Sequence, residues 1–114
     1  MFRRPPDHWF TPAPNPADAL IRLRYHGTAG FTISGGQTNI VLDPFVSRPS
    51  LLQTGFQRLI PNKARIEEVF PRADAVLVGH AHHDHILDAP HVCASTGATF
   101  VGSQDAAYVA QAAG

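Results

Sequence analysis

Cysteine is almost absent from this 114-residue chain: Cys93 stands alone, so no disulfide can close within it. That fits a reducing, cytoplasmic setting. Net charge is also missing, with nine basic residues set against nine acidic ones. There is no basic field to draw in nucleic acid or an anionic membrane surface, and neither is expected as a partner. No stretch approaches the roughly 20 consecutive apolar residues of a spanning helix, so no transmembrane segment is expected. Arg3-Arg4 is followed by Pro5, Pro6 and Asp7 rather than by an apolar core, so the start does not read as a secretory signal. What the chain does have is 44% apolar residues and only 16% charged ones. That balance describes a globular domain, and the length allows one.

Proline organises the beginning. Pro5, Pro6, Pro12, Pro14 and Pro16 fall within residues 1–18, and proline's fixed φ and missing amide donor predict an extended arm there. Phe2, Trp9 and Phe10 would pin that arm to an apolar surface, or it frays. The globular part is expected over 19–114. Leu20 to Tyr25, Phe31 to Ser34 and Asn39 to Leu42 read as three short strands, with Gly27 to Gly30 and Gly35-Gly36-Gln37 as the turns. Residues 45–62 have no clean period but hold Phe45, Leu51, Leu52, Phe56, Leu59 and Ile60. Such a loop either packs its own side chains on the core or forms a flap over an apolar substrate. Asn62 precedes an amphipathic helix, Lys63 to Phe70, stopped by Pro71. A buried strand over 75–78, a helix over 86–94 interrupted or bent by Pro90, a strand over 99–101 and a helix over 104–112 capped by Ser103 complete the pass.

The chemistry concentrates in Gly79-His80-Ala81-His82-His83-Asp84-His85, directly after the buried strand. Four imidazoles and a carboxylate within six residues make a poor packing device and a good set of ligands. Residues two apart on extended chain point the same way, so His80 and His82 can grip one ion together. Asp84 and His85 come where the chain turns into a helix and can grip a second.

This His-x-His-x-Asp-His pattern resembles the signature of the metallo-β-lactamase-fold metallohydrolases. A second stretch agrees. Tyr25-His26-Gly27-Thr28-Ala29-Gly30-Phe31-Thr32-Ile33, then Val41-Leu42-Asp43-Pro44, resembles the opening of the branch that holds lactonase-like and N-acyl-phosphatidylethanolamine phospholipase D-like hydrolases. There a Gly-His element precedes strand two; here the order is Tyr25-His26-Gly27, a departure at His26. The resemblance implies an α/β fold, the αββα sandwich, of which 19–114 would be the N-terminal half: a mixed sheet with helices on its outer face. It implies a pair of divalent ions, zinc above all or else manganese or iron, with His80 and His82 at one and Asp84 and His85 at the other. It implies Asp84 as the catalytic carboxylate orienting a nucleophilic hydroxide held between the ions. The substrate would be a small ester, lactone or phosphodiester; fold and branch alone do not choose among them. His83 falls at a variable position and is not counted as a ligand.

Around the cluster, Asp43 is expected behind a ligand histidine, fixing its tautomer, or else capping the Pro44 turn. His26 contacts the site or substrate, or supports its strand. Asp88 bonds the cluster loop or merely stands near a helix start. His8 and His91 are expected at the surface and Cys93 in the core.

In relatives a third histidine, a bridging aspartate and a last histidine come from the second half, and here only His91 and Asp105 follow Asp88 as donors. Three accounts fit: the N-terminal half of a truncated hydrolase, a chain whose site a partner chain completes, or a non-catalytic metal-binding α/β module. An iron oxygenase with two histidines and a carboxylate is permitted by spacing alone.

Overall fold

In the computed structural model the described residues are 17–56 and 58–114; all but the last two residues of the proline arm lie outside them. Strands β1 (Ile21–Gly27), β2 (Gly30–Gly35) and β3 (Thr38–Leu42) are followed by helices α1 (Leu51–Phe56) and α2 (Lys63–Val69). Then come β4 (Ala75–Val78), α3 (His83–Ile86), α4 (Ala89–Thr96), β5 (Thr99–Gly102) and α5 (Gln104–Ala113). The five strands lie side by side in chain order. β1, β2 and β3 form an antiparallel meander, and β4 and β5 extend it in parallel. The sheet is mixed because hairpins serve the first three strands, whereas the last two return through helical crossovers.

The turn chemistry behaves as the sequence predicts. Gly35 pairs with Thr38, leaving Gly36 and Gln37 to turn the chain, and Gly36 takes φ +57°, which costs glycine nothing. Asn62 caps α2, its side chain accepting from Arg65 N at 3.1 Å. Ser103 caps α5 in the same way, accepting from Ala106 N at 3.2 Å. Gly97, in the left-handed conformation, ends α4.

Two segments differ from expectation. The helix predicted over 86–94 is two helices, broken at Leu87 and Asp88. Pro90 does not bend a helix interior; it sits in the first turn of α4, where its missing amide has no partner to lose. Within the predicted loop 45–62, residues 51–56 form α1, which buries nothing. Leu51 and Phe56 are about nine-tenths exposed, so these side chains do not anchor the segment on the core as the sequence suggested.

Strand alternation sorts the sheet into two unlike faces. On one, Val41, Val76 and Val78 meet Ile66 and Phe70 from the α2 segment, Ile86, Ala89 and Val92 from α3 and α4, and Ala106 from α5; this is the buried core. The registers place Ile21, Leu23, Tyr25, Phe31, Ile33, Ile40, Leu42, Leu77 and Val101 together on the other. No described helix packs there, and Ile21, Leu23, Tyr25 and Val101 are exposed. Among the described residues one side of this α/β layer is covered, and the other leaves its apolar side chains partly or largely exposed.

Among the described residues no helix is long and apolar enough to cross a membrane.

Candidate metal centre

The edge of the sheet at which β3 and β4 end gathers the predicted site. Asp43 follows β3 directly, its N–H donating to Leu77 O at 2.9 Å. Gly79 follows β4, and its N–H donates to Asp43 Oδ1 at 2.7 Å. A side chain at 79 would meet the Asp43 carboxylate at 3.4 Å, in ordinary van der Waals contact. Parallel pairing of β3 with β4 thus delivers Asp43 and the histidine cluster to one place, although 36 residues separate Asp43 from Gly79.

The cluster leaves β4 as extended chain and turns at His82, which precedes α3 in the β conformation. The imidazoles of His80 and His82 stand edge to face with centroids 4.0 Å apart. His85 closes on His80 from the first turn of α3, centroids 5.4 Å apart. Asp84 Oδ2 lies 3.6 Å from His85 Nε2. Behind the ring, Asp43 Oδ2 lies 3.3 Å from His85 Nδ1, yet that buried nitrogen makes no hydrogen bond.

These residues bear on whether a metal fits. Three converging imidazoles, those of His80, His82 and His85, with the Asp84 carboxylate beside them form a donor set of the kind that zinc, iron or manganese takes. Among the described residues, however, no three such groups are disposed to surround a single ion. The site offers pairs: His80 with His82, and Asp84 with His85.

Asp43 has a further cost. Its φ is +40°, although residues before proline favour extended backbone. Aspartate tolerates the left-handed region better than most residues, but such a conformation still costs roughly 1–3 kcal/mol and persists only where its surroundings impose it. Asp43 thus lies beside His85, and its bond to Gly79 joins the ends of two strands. The alternative, a simple cap on the Pro44 turn, does not account for that bond.

His26 is brought near but turned to structural duty. Its Nε2 lies 2.7 Å from Thr32 Oγ1, and its ring stands against Phe70 at 4.9 Å. Burial, and secondarily the Arg24 charge, hold its pKa below 6.5. A histidine that is kept neutral on folding but protonates freely when unfolded destabilises the fold as pH falls below about 6.5 toward its lowered native value. Above that window its contribution is complete. Melting curves at pH 7.5 and 5.5 test this: the wild-type loss on acidification should exceed that of His26→Gln, and equal losses would show that His26 is not a source of acid lability.

His83 points away from ligation; its ring is exposed and meets Phe45 edge-on at 5.9 Å. His91, expected at the surface, is largely covered and bonds Glu67 at 2.8 Å. Asp105 is in the first turn of α5. Cys93 is half-buried, and burial pushes its thiol pKa up, which leaves it less reactive. Asp88 is fully buried, and it bonds the loop after β3 rather than the cluster loop: Oδ2 accepts from Val46 N and Ser47 N at 2.6 and 2.9 Å. The sequence carries no signal for those amide donors. Nor does it announce Arg48, which has φ +42° and donates to His26 O at 2.7 Å.

The chain is similar to several known proteins. The chain is 37% identical over 95 residues to a UPF0173 metal-dependent hydrolase of Methanopyrus kandleri, a match that covers 82% of this chain and 36% of that protein. It is 34% identical over 95 residues to a UPF0173 metal-dependent hydrolase of Heliobacterium modesticaldum, covering 83% and 35%. The chain therefore spans about a third of the length of the curated relatives it matches. Among solved structures it is similar to Igni18, a metallo hydrolase of Ignicoccus hospitalis, with a TM-score of 0.47, 27% identity, and coverage of 70% of this chain and 30% of that one. The model of the β-lactamase superfamily domain matches residues 38–113, from the start of β3 to the end of α5 and more than half of the chain, and the chain belongs to that family.

Proposed function

We propose that the chain carries the first ligands of a two-metal site in a metal-dependent hydrolase. The observation behind this reading is the convergence of His80, His82 and His85 at the ends of paired parallel strands, with Asp43 at the back of His85. His80 and His82 hold one divalent ion, and Asp84 and His85 hold the other. Zinc suits the nitrogen-rich set best, with manganese and iron as alternatives. Such a pair of ions, held by these residues, would supply an acidified water and positive charge to set against that developing on a substrate oxygen. The chain's own part is to aim the ligands and, through Asp84, to accept a proton from the attacking water and orient it. The substrate class is an ester, a lactone or a phosphodiester. The names of the curated relatives support the metal and the hydrolysis, and the lone Cys93 supports placing the protein in the cytoplasm.

That no three groups surround one ion among the described residues favours donors from elsewhere, whether more of the same polypeptide or a partner chain. The same observation supports a second reading, a non-catalytic metal-binding module.

The two readings part on one experiment. The protein, joined to whatever sequence or partner completes it, is assayed on a nitrophenyl ester, a lactone and a nitrophenyl phosphodiester, and its bound metals are counted by elemental analysis. The hydrolase reading expects two ions per site and a fall in turnover of about a hundredfold or more in Asp84→Asn, the scale of losing a proton acceptor, with little change in melting temperature. Metal bound without turnover on any of the three would leave the binding-module reading.

A further inference from the structure

Asp88 is the one charged residue among those described that is wholly withdrawn from solvent, and the proposed ligand set does not use it. A buried carboxylate is expensive unless its bonds return something. One oxygen, Oδ1, has no partner at all. The other takes two backbone amides, Val46 N and Ser47 N. Neither belongs to the cluster loop, so the burial must serve what those amides belong to.

They lie in the middle of residues 43–48, a segment bracketed by two non-glycine residues in the left-handed region, Asp43 at φ +40° and Arg48 at φ +42°. Left alone, such a segment relaxes toward commoner backbone. Here it is tied at both ends and in the middle. At its start Asp43 bonds Leu77 O and Gly79 N. At its finish Arg48 bonds His26 O. Ser47 Oγ accepts from Asn62 N at 2.7 Å, joining the segment to the start of α2. Between the two strained residues, Asp88 supplies two adjacent bonds from one solvent-free oxygen.

We infer that Asp88 is a positioning residue for the metal centre: by clamping the Val46 and Ser47 amides it keeps the strained 43–48 segment in place, so that the Asp43 carboxylate stays on His85 and on the Gly79 N–H that starts the histidine cluster. Asp88 touches no ligand; it acts through Asp43. The inference rests on the metal reading above.

Cobalt(II) is the probe, because its visible bands report ligand geometry as well as occupancy, with affinity referred to the folded fraction measured by circular dichroism. Asp88→Ala removes both bonds and should weaken cobalt binding by about tenfold or more, the range for losing an outer partner of a metal ligand, and should alter the band shape. Asp88→Asn keeps an acceptor oxygen in the same volume and should stay within about threefold of wild type. In an Asp43→Asn background, Asp88→Ala should cost distinctly less than it does alone, because residues acting in series are not additive.

Equal affinity and spectrum in wild type and Asp88→Ala would overturn the inference while leaving the metal reading intact. So would an Asp88→Ala loss undiminished in the Asp43→Asn background. Should Asp88→Ala fail to fold, Asp88→Asn decides: tenfold weakening there would show that the clamp geometry is not what matters. A wild-type chain that takes up no cobalt would remove the metal reading, and this inference with it.

Discussion

Replacing His80 and His82 together by alanine should weaken zinc binding by at least about a hundredfold, since even outer-shell losses cost up to that much and these are the proposed ligands themselves. The fold should survive the change. Both side chains are exposed on the turn after β4, and no core residue leans on them. The variant should therefore melt near wild type in the absence of metal, while wild-type protein alone gains stability when zinc is added, as any ligand that binds only the native state requires. His83→Ala serves as the control within the same cluster. It removes an imidazole of the same kind, one residue away, and should leave affinity within a few-fold of wild type. Calorimetric titration of the three proteins reads this directly. A double variant that binds like wild type, or a His83→Ala variant that binds as poorly as the double one, would show that the pairs are misassigned.

The second large effect concerns the bare face of the sheet. Ile21, Leu23, Tyr25 and Val101 stand exposed there, continuous in register with Phe31, Ile33, Ile40, Leu42 and Leu77. The sandwich implied by the family resemblance would lay a second sheet on this face. Apolar surface left in water costs about 25 cal/mol per Å2, so a few hundred Å2 amounts to several kcal/mol. That is comparable to the roughly 5–15 kcal/mol that holds a whole domain together. The 114-residue chain by itself should accordingly self-associate and bind an apolar dye. Ile21→Lys/Leu23→Lys should shift it toward monomer, because both positions face outward from the edge strand and lysine there also discourages strand pairing. Sedimentation velocity over a concentration series separates the outcomes. A monodisperse wild-type monomer with a sharp melt and no dye binding would mean that these residues close their own core.

Much of this was legible in the residues because the signals were local. The strand ends at Asp43 and Gly79, the Asn62 and Ser103 caps and the glycine turns all depend on neighbours within a few positions. The His-x-His-x-Asp-His spacing named its own geometry, because alternation along extended chain already pairs His80 with His82. What stayed hidden depended on pairings distant in sequence. Asp88 could be read as bonding the cluster loop or as standing near a helix start, since nothing near it in the chain announces that Val46 and Ser47, more than 40 residues earlier, will present their amides to it. His26 could be read either as reaching the site or as supporting its strand, and only the distant Phe70 ring and the Thr32 hydroxyl show what it touches. In α1 the apolar pattern allowed either anchors on the core or a flap over a substrate, and Leu51, Leu52 and Phe56 all stay in solvent among the described residues, against the first of these. Hydrophobicity said that they should be covered and could not say by what. Pro90 shows the opposite case, in which the residue's effect was read correctly as a break in helix and only its position relative to that break was wrong.

If imidazoles from the turn after β4 hold the metal, X-ray absorption at the zinc edge of the zinc-loaded chain will show them. The account predicts nitrogen and oxygen neighbours at about 2.0–2.1 Å, with the outer-shell scattering of imidazole rings present in wild type, retained in His83→Ala and lost in His80→Ala/His82→Ala. A shell of water oxygens without imidazole scattering, or a sulfur neighbour at about 2.3 Å from Cys93, would contradict it.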